Sequence, residues 1–171
     1  MRHRAYHDPL TGLPNQRLLA DRLDRALAHA RRTGQQFALL YLDLDRLKDI
    51  NDTFGHVTGD AVLRRVARRL QNAVRAEDTV ARVGGDEFVL LLPRVGSAEE
   101  VALVADKVRG ALAAPVECEG ERLDVTVSVG VAIAPSAGSS ADALLRAADA
   151  AMYDAKRTGR NRVVWSDGRA G

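Results

Sequence analysis

The sequence has very little cysteine, few aromatic residues and almost no net charge. Its single cysteine, Cys118, excludes an internal disulfide and a cysteine-rich zinc site. Aromatic residues make up only 4% of the chain and are scattered, which argues against base-stacking platforms for single-stranded nucleic acid. With 25 Lys and Arg against 23 Asp and Glu, the formal net charge is +2, too small to attract nucleic acid strongly. We therefore expect no nucleic-acid partner.

Long apolar runs are also missing. The longest stretch without a charged residue, Val125 to Ala141, is interrupted by serine, glycine and proline, so it cannot form an apolar span of about 20 residues. The basic start at residues 1–4 is not followed by an apolar segment, and we expect no signal peptide. These features predict a cytoplasmic segment without direct membrane contact, although the parent protein could be membrane-anchored through other regions.

What the chain does contain is typical of one globular domain. Hydrophobic residues make up 46% of its 171 residues and charged residues 28%, enough for a buried core with a solvated surface. The patterning predicts a domain at 8–165, preceded by a linker at 1–7 and followed by a tail or linker at 166–171.

Apolar periodicity predicts helices and strands in a definite order. The predicted segments are a helix from Leu19 to Gly34, a strand at 37–44, a short irregular or helical stretch at 45–55, a helix through Val62 and Leu70, strands at 79–83 and 88–92, a helix from Ser97, a small hairpin at 115–123, a strand at 124–133, a helix ending near Gly159 and an edge strand at 163–165. This order predicts an α/β fold (an α+β sandwich), with a mixed central sheet whose ferredoxin-like, palm-like βαββαβ core is flanked by helices.

Two groups of acidic residues stand out from this pattern. Asp43 follows six apolar residues in what should be a buried strand, where a carboxylate is costly without a cation. Asp86 and Glu87 directly follow Gly84-Gly85 in a predicted hairpin. If the hairpin lies beside the first strand, Asp43 and Asp86 could share a hard cation, Mg²⁺ or Mn²⁺. Taken alone, the Gly-Gly-Asp segment favours a tight turn with exposed acids; together with Asp43 it favours a metal site.

A metal held in this way suggests a nucleotide triphosphate, but neither a P-loop nor a GxGxxG segment is present. Lys48, Lys156 and Arg160 are the candidate phosphate contacts; the last two could also be ordinary cations at a helix C-terminus. Asn51 and Asp60 could read a guanine edge, or could be a turn residue and a helix cap.

Several segments together resemble the GGDEF-domain diguanylate cyclases. The segments are DPLTGLPN at 8–15, DLDRLKDINDTFGHVTGD at 43–60, RVGGDEF at 82–88, SVGVA at 128–132 and ADAAMYDAKRTGRN at 148–161. The resemblance implies that two GTP molecules are joined into cyclic di-GMP with release of two pyrophosphates. It also implies a homodimer of two half-sites, each holding one GTP and Mg²⁺ (or Mn²⁺).

The resemblance also implies a role for each matching residue. The implied metal ligands are Asp43, Asp86 and the Leu44 carbonyl. The implied catalytic residues are Asp86 as proton acceptor, Glu87, and Lys48 as a stabiliser of the transition state; the implied guanine contacts are Asn51 and Asp60, with His56 nearby. The implied phosphate contacts are Lys156, Arg160 and the backbone N–H groups of Arg46 and Leu47. Leu47 departs from the family, which usually has phenylalanine there, but the implied contact is through the backbone.

Arg75 and Asp78 form an R-x-x-D segment, and five residues lie between Asp78 and Gly84. In the family this is the inhibitory site that binds the product, and the resemblance implies the same here. The alternative is an ordinary surface pair of arginine and aspartate at a helix end.

Other functions remain open on the sequence. The alternative to an active cyclase is a catalytically silent module that binds GTP or cyclic di-GMP and regulates a neighbouring domain. A generic ferredoxin-like interaction domain would leave Asp43 and Asp86 without a role.

Relatives commonly carry a sensory or phosphodiesterase domain, and we expect such a flanking domain here. No sustained heptad is present, so we expect only a transient homodimer.

Overall fold

Strand β1 (Phe37–Asp45) lies at the centre of the sheet in the computed structural model, which describes residues 5–169. The other elements, in chain order, are α1 (Gln16–Thr33) before it and then α2 (Leu47–Phe54), α3 (His56–Ala73), β2 (Thr79–Arg82), β3 (Glu87–Leu92), α4 (Ala98–Ala113), β4 (Val116–Cys118), β5 (Glu121–Leu123), β6 (Thr126–Ala134), α5 (Ala141–Arg157) and β7 (Val163–Trp165).

The main sheet has the order β2-β3-β1-β6-β7. Strand β1 is antiparallel to both β3 and β6, whereas β7 is parallel to β6, so the sheet is mixed. The continuous apolar run of β1 is buried on both faces of this sheet, because helices cover both. The predicted fold class, a mixed sheet flanked by helices around a βαββαβ core, is therefore confirmed.

Each face of the sheet has its own hydrophobic core. One core packs α3 and α4 against the sheet, and the other packs α1 and α5. The sequence predicted a close helix approach over the small residues of β6, and Gly130 confirms it. A Cβ added to Gly130 would lie 2.0 Å from the carbonyl oxygen of Ala148 in α5. Helix α5 is thereby held close to the strand ends where the acidic residues lie.

Several boundaries differ from the predicted ones. Strand β1 continues to Asp45 because its ladder with β6 pairs Asp45 with Thr126. Strand β3 begins at Glu87, whose carbonyl accepts hydrogen bonds from the N–H groups of Val83 and Gly84 across the hairpin. Helix α5 ends at Arg157, so Arg160 lies in the turn beyond it rather than on the helix.

The chain ends were predicted to be linkers. Residues 1–4 and 170–171 of those segments lie outside the described part of the chain. At the N-terminal end His7 forms a β-bridge with Pro14, and at the C-terminal end the Arg169 guanidinium lies 5.1 Å from the centre of the Trp165 ring. Among residues 5–169, no helix is long and apolar enough to cross a membrane.

Candidate active site

A cleft of about 620 Å³ opens where β1 ends. Its walls come from the end of β1, the start of α2, the β2–β3 hairpin and the turn after α5. The residues that line it are Leu44, Asp45, Arg46, Leu47, Lys48, Asp49, Asp86, Asp124, Thr126, Lys156, Gly159, Arg160 and Asn161. The structure thus brings together most residues for which the sequence suggested metal or phosphate contacts, from segments more than a hundred residues apart.

Asp43 lies in β1, and Asp86 lies in the turn of the neighbouring β2–β3 hairpin, directly before β3 begins. The N–H of Leu44 donates to the carbonyl of Asp86 at 3.0 Å, and Asp43 is paired with Glu87 across the β1–β3 ladder. Burial, and then the negative charge of Asp86, raise the pKa of Asp43 to about 6. The charge of Asp86 therefore disfavours ionisation of Asp43 unless a cation lies between them.

The donor set fits a hard divalent cation. Asp43 Oδ1 is buried and accepts no well-aligned hydrogen bond, although the Lys156 ammonium lies 3.1 Å from it. Within residues 5–169 no group of three or more His, Cys, Asp or Glu residues is arranged to hold a metal alone. Two carboxylates and the carbonyl of Leu44 would suit Mg²⁺, which usually keeps its other positions for water and phosphate oxygens.

Lys156 reaches into the acidic centre from α5. Its Nζ lies 3.1 Å from Asp43 Oδ1, 3.0 Å from Asp45 Oδ1 and 3.1 Å from the carbonyl oxygen of Leu44. The ammonium therefore lies at the junction between the expected metal ligands and the cleft. A cation there can partly neutralise the carboxylates and can also contact a bound phosphate.

The start of α2 supplies further groups for an anion. Arg46 precedes the helix with a φ of 69°, a left-handed conformation, so that β1 passes directly into α2. The first N–H groups of a helix have no partner within it and can bind phosphate oxygens. Leu47 is buried beneath this turn, whereas Lys48 is exposed and lines the cleft.

The expected guanine contacts lie outside the lining of this cleft, around the junction of α2 and α3. Asn51 belongs to α2, whereas His56, which is exposed, and Asp60 belong to α3. Asn51 Oδ1 is buried and has no hydrogen-bond partner within residues 5–169. A buried amide oxygen of this kind is available to a ligand donor such as a guanine N–H group.

Gly59 was not singled out from the sequence, but it makes room for Asn51. A Cβ at position 59 would lie 1.7 Å from Asn51 Oδ1. Glycine inside a helix is unfavourable by about 1 kcal/mol relative to alanine, and that cost is the only sequence signal that this position has a special role.

Gly59→Ala is expected to weaken GTP binding about tenfold or more, because the displaced Asn51 amide would lose the hydrogen bonds to the base that the resemblance implies. Titration calorimetry with GTP and Mg²⁺ measures this. The matched control is Gly110→Ala in α4, where a Cβ would meet nothing within 4 Å. Equal GTP affinity in the Gly59→Ala variant and the wild type would show that Asn51 does not read the base.

Glu87 is half-buried at the start of β3. Burial, and then the charges of Asp149 and Asp86, raise the pKa of Glu87. Burial and the charge of Glu87 also raise the pKa of Tyr41 to about 12. Asp149 and Tyr41 were not identified from the sequence as neighbours of the site, because they come from α5 and the middle of β1.

The hairpin that carries Asp86 is attached to the N-terminal turn. Arg82 donates to the carbonyl of Gly85 at 2.8 Å and lies 3.2 Å from the carboxylate of Asp8. Asp8 in turn accepts hydrogen bonds from the N–H and hydroxyl of Thr11. Asp8 and Arg82 lie in segments that the sequence had singled out, but they had been given no role; the structure shows that they fix the hairpin.

Arg75 and Asp78 lie at a separate pocket of about 230 Å³ between α3, β3 and α4. The Asp78 carboxylate accepts the backbone N–H of Arg75 at 2.9 Å, and burial raises the pKa of Asp78. The exposed Arg75 guanidinium lies 3.5 Å from Glu100, so the two side chains of the R-x-x-D segment are not an ion pair with each other. The guanidinium remains at the pocket rim, where a ligand can reach it.

The family model described as "Diguanylate cyclase, GGDEF domain" matches residues 5–162. The chain is 45% identical over 157 residues to the bifunctional diguanylate cyclase/cyclic di-GMP phosphodiesterase MucR of Pseudomonas aeruginosa. It is 42% identical over 159 residues to the diguanylate cyclase TpbB of the same organism. Both alignments cover 92% of this chain, which spans only 23% of the length of MucR and 37% of the length of TpbB.

Solved structures show the same likeness. The GGDEF domain of TpbB superposes with a TM-score of 0.91 at 40% identity, covering 94% of both chains. The GGDEF domain of DgcB from Caulobacter crescentus, in complex with c-di-GMP, has a TM-score of 0.88 at 37% identity and covers 95% of this chain and 96% of that one. Since the family match extends over residues 5–162, this chain belongs to the GGDEF-domain family of diguanylate cyclases.

Proposed function

We propose that this chain is a diguanylate cyclase that joins two GTP molecules into cyclic di-GMP and releases two pyrophosphates. The observation that carries the proposal is the placement of Asp43 in β1 beside the hairpin turn that holds Asp86, with the Lys156 ammonium 3.1 Å from Asp43 Oδ1. Asp86 and Lys156 both line the open cleft. The relatives that bear this activity in their names support it.

Each new bond forms when the ribose 3′-hydroxyl of one GTP attacks the α-phosphate of the other. The bond from that phosphate to pyrophosphate breaks, and Asp86 accepts the proton of the hydroxyl. Lys156 and Arg160 bind the triphosphate, and Lys48 stabilises the charge that develops on it. When bound, Mg²⁺ or Mn²⁺ at Asp43, Asp86 and the Leu44 carbonyl supplies Lewis-acid stabilisation of the phosphate oxygens.

Asn51 and Asp60 bind the guanine base and select it over other bases. Guanine presents N1–H and N2–H donors to a carboxylate such as Asp60, and the buried Oδ1 of Asn51 is a further free acceptor. His56 lies at the start of the same helix as Asp60 and extends this surface. Glu87, next to Asp86, adds a second carboxylate at the start of β3 and supports the metal site.

The assay that tests the proposal is incubation of the protein with GTP and Mg²⁺ followed by chromatography of the nucleotides. We expect cyclic di-GMP and pyrophosphate in a ratio of one to two, with no product from Asp86→Ala. GTP binding without any product at high protein concentration would instead indicate a regulatory module that binds the nucleotide and does not turn it over.

The second pocket is proposed as a product site that slows the enzyme. An arginine can stack on a guanine and also donate to its edge or to a phosphate. Exposed Arg75 and half-buried Asp78 offer that combination at one rim of the pocket, and the DgcB structure shows that a GGDEF domain can hold c-di-GMP.

Arg75→Ala is expected to bind cyclic di-GMP at least tenfold more weakly while its initial rate of synthesis stays close to that of the wild type. Calorimetric titration with cyclic di-GMP and progress curves with added product measure the two effects. Arg64→Ala is the control, because Arg64 is an exposed arginine of helix α3, which precedes Arg75, and lies outside the pocket. Equal inhibition of Arg75→Ala and wild type by cyclic di-GMP would remove this site.

We further propose that residues 8–165 form the catalytic domain of a larger signalling protein. The chain spans a minor part of MucR and TpbB, which supports a flanking sensory or phosphodiesterase domain in the parent. We propose a cytoplasmic location for this segment, where GTP is available, and a transient homodimer as its active form.

A further inference from the structure

Asp45 is a buried carboxylate that the proposed reaction does not use. Its residue exposure is only 1%, although it forms part of the cleft wall. It accepts hydrogen bonds from Thr126 Oγ1 at 2.5 Å, Ser128 Oγ at 2.8 Å, Lys156 Nζ at 3.0 Å and the N–H of Asn161 at 3.1 Å. Four donors from β6, α5 and the turn after α5 therefore meet on one side chain at the end of β1.

Two of these donors belong to the segment that carries the phosphate-binding cations. Lys156 is bound directly, through its ammonium. Arg160 is reached indirectly, because Asp45 holds the N–H of the next residue, Asn161. Arg160 and Asn161 have φ values of 62° and 45°, a left-handed conformation that side chains other than glycine rarely adopt. A turn of this kind needs anchoring contacts, and Asp45 provides one from the opposite wall of the cleft.

The surroundings of Asp45 suit this task. Both of its carboxylate oxygens accept hydrogen bonds, Oδ1 from Ser128 and Lys156, and Oδ2 from Thr126 and the N–H of Asn161. Asp43, the other acidic neighbour of Lys156, lies 3.1 Å from the ammonium, but its Oδ1 accepts no well-aligned hydrogen bond. Asp45 is therefore the more firmly held partner of the Lys156 ammonium.

We propose that Asp45 is a positioning residue that holds Lys156 and the Arg160 turn against the cleft and thereby sets the affinity for a nucleoside triphosphate. This inference rests on the proposed function. Asp45 itself touches neither the substrate nor a metal in this proposal; it acts through the two cations that it holds.

Charge alone would give the opposite result. Asp45 is an anion in the wall of a cleft that binds a polyanion, so removing its charge should tighten triphosphate binding if Coulomb repulsion were its main effect. If Asp45 positions Lys156 and Arg160, the same change should weaken binding, because the cations lose their fixed geometry. The sign of the change in affinity therefore distinguishes the two explanations.

The experiment compares Asp45→Asn with wild type by calorimetric titration in the presence of Mg²⁺. The first ligand is 3′-deoxy-GTP, which lacks the attacking hydroxyl, and the second is GMP, which lacks the β- and γ-phosphates. We expect at least tenfold weaker binding of 3′-deoxy-GTP and a change of less than about twofold for GMP. Selective loss of the triphosphate part is a readout that general loosening of the fold would not produce.

Asp124→Asn is the matched control, because exposed Asp124 lines the same cleft and has none of the Asp45 contacts described above. Its binding of 3′-deoxy-GTP should be unchanged or slightly tighter. Ser128→Ala, which removes one donor to Asp45 Oδ1 and keeps the charge, is the variant to use if Asp45→Asn does not fold. We expect it to weaken 3′-deoxy-GTP binding about twofold to fivefold.

Unchanged or tighter 3′-deoxy-GTP binding by folded Asp45→Asn would overturn the positioning role. An equal loss for 3′-deoxy-GTP and GMP would also overturn it, because Asp45 would then act on the fold as a whole. If the wild type binds neither nucleotide, the proposed function itself fails. If the wild type binds 3′-deoxy-GTP and Asp45→Asn binds it equally well, only the positioning role of Asp45 fails.

Discussion

Asp43→Asn is expected to lower the turnover of GTP at least about a thousandfold. An amide cannot replace the carboxylate charge that, with Asp86, would hold a divalent cation, and such a cation contributes several kcal/mol to stabilising a phosphoryl transition state. Chromatographic assay of cyclic di-GMP over a range of Mg²⁺ concentrations measures the loss. Asp49→Asn, an exposed acid of the same cleft, should retain activity.

The same substitution should stabilise the metal-free protein, with a defined pH dependence. The pKa of Asp43 is about 6 in the native protein, above the value of 3.8 for the free side chain. The native state therefore binds more protons than the unfolded state between these values, and its free energy of unfolding falls as the pH rises through this window. Asp43→Asn removes this penalty, which is up to about 3 kcal/mol above pH 7.

Thermal unfolding in EDTA at several pH values measures this difference. The Tm of Asp43→Asn should exceed that of the wild type by several degrees at pH 8, and the gap should close near pH 4. Added Mg²⁺ or Mn²⁺ should raise the Tm of the wild type and leave that of the variant unchanged. A lower Tm for Asp43→Asn than for the wild type at pH 8 would contradict the account of an Asp43 carboxylate that burial and the charge of Asp86 destabilise.

Specific activity is expected to fall as the protein is diluted, by up to about a hundredfold across a hundredfold dilution. One chain carries one Asp43–Asp86 pair and one cleft, but the product needs two GTP molecules joined by two bonds. The proposed reaction would then need two chains related by a two-fold axis. Below the dissociation constant of the dimer, the dimeric fraction rises in proportion to protein concentration.

Tethering should remove this dependence. A strong parallel coiled coil fused before Asp8 raises the effective concentration of one domain near the other to the millimolar range. The fusion should keep its specific activity on dilution, whereas a fusion whose coiled coil carries charged residues at the a and d positions should behave like the isolated domain. Constant specific activity in protein shown to be monomeric by light scattering would contradict a two-chain reaction.

The sequence by itself was sufficient for the order of the main elements and for placing Asp43 beside the hairpin that carries Asp86. The run from Phe37 to Leu42 predicted a strand buried on both faces, since only such a strand lacks polar alternation. Gly84-Gly85 predicted the hairpin that carries Asp86. Neighbouring strands are about 4.8 Å apart, so placing the hairpin beside β1 was enough to bring Asp43 and Asp86 together. These inferences depend on local periodicity and turn chemistry, which a sequence displays directly.

The tertiary structure alone decided how the site is held. Asp45 is 81 residues from Thr126, 111 from Lys156 and 116 from Asn161, and its contacts exist only because β6 pairs with β1 in one register while α5 packs closely over Gly130. The ion pair between Asp8 and Arg82 likewise spans 74 residues. The register between β6 and β1 and the close approach of α5 to β6 result from packing of the whole core. Periodicity along the chain carries no information about which distant donors will bind a buried carboxylate.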